Sequence, residues 1–167
     1  HLNYQDSAKN LVHAIKFKDR PHLGIWAGSQ MGQAIAQASW INAVDQIIPV
    51  PLHPNRLAER GYNQSEQLAR GICEGLSQNN HSAPELATAI LVRDRDTPHQ
   101  LGQGREERLR NLTGAFTVEQ IETIQQKTIL LVDDVLTTGA TLAECAATLL
   151  EAGAAQVCIA SLAAVSE

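Results

Sequence analysis

Residues 128–141 read TILLVDDVLTTGAT, and the reading of this stretch decides the fold. The apolar run at 129–132 suits a parallel strand buried on both faces. Asp133 and Asp134 follow where such a strand is expected to end. Thr137, Thr138, Gly139, Ala140 and Thr141 then form a small-residue loop opening into an apolar-periodic, helical segment. In open α/β sheets ligands lie at the carboxyl ends of strands. A helix N-terminus placed there offers unpaired N–H groups and a positive dipole end to an anion. Carboxylates beside such a cradle suit a ligand that carries both hydroxyls and phosphates, which points to a sugar-phosphate site.

Two adjacent acids after a strand have other readings: a Walker-B acid, a phospho-acceptor aspartate or a solvated strand end. The Walker-B reading requires a partner G-x-x-x-x-G-K-[ST] loop, and the chain contains none. Its only Gly-x-Gly, Gly102-Gln103-Gly104, lacks the third glycine and does not open a helix after a strand. Dinucleotide binding therefore has little support.

Working outward, the chain alternates helical and extended patterns. Helical spacing covers residues 8–17 and 23–39, and residues 44–50 read as a strand closed by the loop Pro51-Leu52-His53-Pro54-Asn55-Arg56. Asn63 stands at the cap of a helix that would bury Leu68, Ile72 and Leu76. Residues 87–92 and 114–118 read as further strands. Between them, residues 94–110 form a long polar stretch, of the kind that is a functional lid or disordered. After the 128–132 strand, a helix carries Leu142, Cys145, Leu149 and Ala152 on one face. Gly153 ends it, and residues 157–163 form a last buried strand. The alternation implies an α/β fold with a mostly parallel sheet flanked by helices. No internal repeat or second domain is visible in residues 1–167.

The motif resembles the phosphoribosyl-pyrophosphate (PRPP) motif of type I phosphoribosyltransferases. The wider chain resembles the ComF/GntX branch of that superfamily, through LVHAIKFKDR at 11–20, PVPLHPNRLAERGYNQ at 49–64 and RDTPHQLGQGREERLRNLTGAF at 95–116. The resemblance implies a type I phosphoribosyltransferase fold, with a PRPP-binding core at 44–167 and a small N-terminal hood within residues 1–40. It implies that Asp133 and Asp134 accept hydrogen bonds from the ribose hydroxyls and that Thr137, Thr138, Gly139, Ala140 and Thr141 wrap the 5′-phosphate. His53, Asn55 and Arg56 take the position of the pyrophosphate loop; His53 alone reads equally well as a turn contact. Residues 94–110 correspond to the mobile loop of relatives, with Arg105 and Arg108 as the candidate catalytic cations and His99 as a weaker one. A substrate-held magnesium ion is expected, with no metal ligand assigned to the protein. The expected ligand is PRPP or another ribose 5-phosphate, with a nucleobase or amine as acceptor. Relatives in this branch are associated with competence and DNA utilisation, so a non-catalytic PRPP- or nucleotide-binding accessory role is the alternative.

Composition agrees with one globular domain. A chain of 167 residues, 44% apolar and 4% aromatic, can bury an aliphatic core. No apolar run approaches the roughly 20 residues that a membrane span requires. The net charge of −5 argues against broad binding to nucleic acid, so a DNA or competence-protein contact has no support from charge. Arg93, Arg95, Arg105, Arg108 and Arg110 crowd together, but Asp94, Asp96, Glu106 and Glu107 lie among them, a balance that suits a compact polyphosphate. Cys73, Cys145 and Cys158 form no C-x-x-C pair and suit a reducing cytoplasm. The four-cysteine module frequent in ComF relatives is missing from the sequence, and the start, HLNYQ, reads as a trimmed chain. A homodimer is left open.

Overall fold

The computed structural model describes residues 2–3, 6–17, 20–79, 81–95 and 114–165. In chain order these form β1 (Leu2–Asn3), α1 (Asp6–Phe17), α2 (Pro21–Ile35), β2 (Gln46–Pro49), α3 (Pro54–Arg60), α4 (Gln64–Gln78), β3 (Glu85–Leu86), β4 (Leu91–Arg93), β5 (Phe116–Val118), β6 (Thr128–Leu136), α5 (Ala140–Glu151) and β7 (Gln156–Ala164), with short 3-10 turns at Ser39–Ala43 and Ile121–Thr123. The main sheet runs β1-β7-β6-β2-β3 and is parallel throughout, while β4 and β5 make a separate antiparallel ribbon. This is the α/β architecture that the alternating pattern predicts.

β6 lies at the centre of the sheet. Its run Ile129, Leu130, Leu131 and Val132 is fully buried, because helices cover both faces. Leu130 and Val132 join Val12 and Ile15 of α1, Ala27 of α2 and Leu68, Ile72 and Leu76 of α4 in one apolar layer. Ile129 and Leu131 face the other way, into a layer with Leu142, Cys145 and Leu149 of α5 and Leu91 and Phe116 of the ribbon. The face Leu68, Ile72 and Leu76 expected for α4 is therefore the one it buries.

Three local expectations change. The strand expected at 128–132 continues to Leu136, because β7 goes on pairing with it as far as Leu136↔Ala164. The single strand expected at 87–92 is divided instead. Glu85–Leu86 pairs with β2, residues 88–90 bend, and Leu91–Arg93 pairs with β5. The bend lets Ala87 and Ile90 stay buried in the α5-side layer as the chain leaves the main sheet. The last strand is buried only towards its end: Ile159 is 49% exposed, whereas Ala160, Leu162 and Ala163 are buried.

The helical layer is held by an unusually close contact. Gly28 and Gly32 of α2 lie directly on Gly71 and Gly75 of α4. A Cβ built on Gly28 would stand 3.0 Å from the Gly71 Cα and closer still to the Leu68 carbonyl. A Cβ on Gly75 would meet the Gly32 Cα at 3.0 Å and the Ser29 carbonyl more closely. Each glycine in a helix costs about 1 kcal/mol relative to alanine; here their bare Cα atoms let the two backbones touch. Residues 1–40, expected as a hood, thus supply α1 and α2, and α2 lies along α4.

Gly28→Ala or Gly71→Ala is expected to destabilise the protein by at least about 2 kcal/mol despite the better helix propensity of alanine, because the added carbon meets backbone that cannot rotate away. Thermal unfolding of the two variants measures this; melting at or above the parent temperature would mean that α2 and α4 are not in backbone contact.

Candidate functional site

The sheet opens where β6 outruns β2. The last β2 register pair is Pro49↔Val132, followed by the Val50 N–H bonding to the Val132 carbonyl at 2.9 Å. Beyond it, among the described residues, Asp133 to Leu136 belong to a strand that pairs with β7 alone, so the acids lie inside a strand and not past its end. The chain then turns through Thr137 and Thr138 to Gly139, the N-cap of α5, at φ 77. Residues with a Cβ rarely adopt that left-handed conformation. Among the described residues no side chain caps α5 at Gly139, and the Ala140 N–H reaches the Thr138 hydroxyl only at 3.5 Å, long for a hydrogen bond. Thr137 is exposed, Thr138, Gly139 and Thr141 are half-buried, and Ala140 is buried.

Beside this end of β6, β2 delivers residues 50–56. The loop expected over Pro51 to Arg56 is shorter than the sequence suggests: α3 begins at Pro54, so Asn55 and Arg56 lie in its first turn. Proline is well suited to such a helix start. His53 is the N-cap, and its Nδ1 accepts from the Asn55 N–H at 3.3 Å. The topology therefore brings His53, Asn55 and Arg56 to the same edge of the sheet as Asp133, Asp134 and residues 137–141.

The two acids differ in surroundings. Asp134 is 4% exposed, and its Oδ2 forms a 2.8 Å ion pair with the Lys16 ammonium of α1. Asp133 is half-buried; its Oδ1 accepts from the Ser65 hydroxyl at 2.9 Å and from the Asp134 N–H at 2.8 Å. Desolvation, reinforced by the Asp134 charge, pushes the Asp133 carboxyl up to about 7. The Asp134 N–H, the Ser65 hydroxyl and Lys16 oppose that rise.

A second layer comes from residues 60–65. Asn63 caps α4, accepting from the Ser65 N–H at 3.0 Å, while its amide donates to the Val50 carbonyl at 3.0 Å. One side chain thereby ties the end of β2 to the start of the helix that carries Ser65. Arg60 donates to Gln64, and the Tyr62 hydroxyl donates to the Ile15 carbonyl of α1. Burial lowers the pKa of Arg60, and the attraction of Asp134 opposes this. Lys16 and Ser65 did not stand out in the sequence. The available signal was that both fall within or beside the 11–20 and 49–64 blocks, whose roles the residues alone do not disclose. Arg105 and Arg108, with His99, lie outside the described residues.

Asp133 has a higher proton affinity folded than unfolded, where its value is near 3.8. Its protonation therefore favours the fold: its contribution is most favourable at low pH, declines as pH rises from about 4 to about 7, and is constant above that. Asp133→Asn is expected to gain stability relative to the parent between about pH 4.5 and about pH 8. Urea unfolding of both proteins at the two pH values measures this, and a difference independent of pH would contradict the raised value. Thr138→Ala is expected to shift unliganded stability by less than about 0.5 kcal/mol, half a usual cap or less, given its 3.5 Å contact.

Comparison with known proteins bears on the family and the fold. The family model described as phosphoribosyl transferase domain matches residues 58–167. The chain is 35% identical over 158 residues to the DNA utilization protein YhgH of Salmonella typhimurium, covering 93% of this chain and 66% of that protein. It is 34% identical over 114 residues to competence protein F of Haemophilus influenzae, covering 68% of this chain and 47% of that one. The chain thus spans just under two thirds of the length of the YhgH relatives it matches. In fold it is similar to the glutamine PRPP amidotransferase from B. subtilis complexed with ADP and GMP, with a TM-score of 0.56, 18% identity and coverage of 90% of this chain and 30% of that one. The chain belongs to the phosphoribosyl transferase domain family, in the ComF-like branch that includes YhgH and competence protein F.

Proposed function

We propose that the protein binds PRPP and transfers its 5-phosphoribosyl group to a nitrogen acceptor, releasing pyrophosphate. The observation that carries this reading is the convergence, at the end of β6, of a carboxylate pair with the first amides of α5, which among the described residues meet only the long Thr138 contact. The 5′-phosphate would lie against the amides of residues 139–141 and the hydroxyls of Thr137, Thr138 and Thr141. Asp133 and Asp134 would orient the ribose hydroxyls. His53, Asn55 and Arg56 would face the pyrophosphate, where a guanidinium matches phosphate oxygens with paired donors. Arg105 and Arg108 would act on the charge that develops as pyrophosphate leaves. The C1′–O bond to pyrophosphate breaks, a C1′–N bond forms, and the acceptor nitrogen gives up its proton.

Magnesium, when bound, would neutralise charge on the departing pyrophosphate. Among the described residues no group of three or more His, Cys, Asp or Glu side chains is arranged to hold a metal. In this reading the ion would be held through substrate oxygens and water, as magnesium commonly is. A reducing, cytoplasmic setting is supported by Cys73, Cys145 and Cys158 being free thiols. Among the described residues no helix is long and apolar enough to cross a membrane.

A second reading is favoured by the names of the relatives, a DNA utilization protein and a competence protein. In it the chain binds PRPP or a nucleotide as an accessory factor without transferring ribose. Incubation with magnesium, PRPP and a panel of bases and amines separates the two readings: pyrophosphate release with one acceptor supports transfer, and binding without release supports the accessory role.

Asp133→Asn with Asp134→Asn is expected to weaken ribose 5-phosphate and PRPP binding on the order of tenfold or more while the protein stays folded, since charge-assisted hydrogen bonds are lost. Calorimetry is the check, and unchanged affinity for both ligands would rule out the ribose role. Thr138→Ala is expected to reduce ligand-induced thermal stabilisation by more than it shifts the unliganded melting temperature.

A further inference from the structure

Residues 133–141 supply hydroxyl acceptors and phosphate donors, but not the charge balance such a site needs. Two adjacent carboxylates oppose the approach of a phosphorylated ligand, and an anion buried as Asp134 is requires a partner. The cation that answers Asp134 lies in the N-terminal helix, far from the motif in sequence. The Lys16 ammonium stands 2.8 Å from Asp134 Oδ2, with the Lys16 side chain 25% and the Asp134 side chain 5% exposed.

The placement is built, not incidental. Val12 and Ile15 anchor α1 in the core at 2% and 0% exposure. Tyr62 donates to the carbonyl of Ile15, the residue immediately before Lys16. Tyr62 itself belongs to the segment whose Asn63 and Ser65 hold the β2 end and Asp133. One short segment therefore aims both partners of the acid pair: Ser65 directly, and Lys16 through the backbone beside it.

We propose that Lys16 is a positioning residue for the ribose-phosphate ligand, holding the Asp134 carboxylate inward and cancelling one of the two negative charges that the ligand meets. The inference rests on the reading of this site as a ribose 5-phosphate site. Asp133, fixed by Ser65, is then the acid that faces the ligand more openly. By thermodynamic linkage, docking of α1 and binding of the ligand favour one another to the same degree.

The test compares Lys16→Met and Lys16→Arg with the parent, below the melting temperature of each, titrating ribose 5-phosphate by calorimetry and inorganic phosphate by thermal shift. Lys16→Met is expected to lose about tenfold in ribose 5-phosphate affinity, the size of one misaligned charge-assisted hydrogen bond. It should keep its response to inorganic phosphate, which needs only residues 137–141. Lys16→Arg is expected to remain within about twofold of the parent. Should Lys16→Met fail to fold, hydrogen exchange of the parent decides: saturating ribose 5-phosphate is expected to slow exchange in α1. Parental ribose 5-phosphate affinity in Lys16→Met, equal loss of both ligands, or α1 exchange indifferent to ligand would overturn the proposal. A parent that responds to inorganic phosphate but does not bind ribose 5-phosphate would instead overturn the underlying site reading, and this inference with it.

Discussion

The contact between α2 and α4 through bare glycine backbone is the constraint on which the remaining arrangement depends. Gly28 and Gly32 against Gly71 and Gly75 leave no room for a side chain, so the two helices share one axis separation and one register. α4 is in turn seated on β2 and β6 by Leu68, Ile72 and Leu76. With α2 locked to α4, α1 lies over the same layer, and its last turn arrives beside the open end of β6. Interfaces packed this closely do not deform continuously, which gives a lysine from the N-terminal helix a fixed place beside the motif.

Electrostatics sets the surroundings of the acid pair. Two carboxylates side by side at a strand end repel one another unless cations stand close by. Lys16 in direct contact, and Arg60 through its attraction to Asp134, supply that compensation. The two acids are consequently unequal. Asp134 is buried and ion-paired, whereas Asp133 is half-buried, hydrogen-bonded by Ser65 and raised towards neutrality by desolvation. Neighbours in sequence thus have different surroundings because successive strand residues point to different sides of the sheet.

The segment 60–65 ties the strand ends of this chain to its helices. Asn63 joins the end of β2 to the start of α4, Ser65 reaches Asp133, and Tyr62 holds α1. These side chains connect three elements around the strand ends. Their tasks concern the acids and the helix that answers them.

Much of the fold was legible in the sequence because it rests on short-range physics. A continuous apolar run bounded by small residues makes β6, helical spacing makes α4 and α5, and Asn63 and Gly153 mark helix ends within a few residues of their partners. The same locality made the acids and the Thr137 to Thr141 loop legible as a candidate site. What only the tertiary structure decided involves partners distant in the chain. The extension of β6 to Leu136 depends on β7, and the division of residues 85–93 between two sheets depends on which layer Ala87 and Ile90 fill. The glycines of α2 and α4 look like weak helix residues until the other helix is laid against them. Lys16 and Ser65 read as ordinary polar positions until packing brings them within hydrogen-bonding distance of Asp134 and Asp133, because a single ion pair or hydrogen bond leaves no periodic trace along the chain.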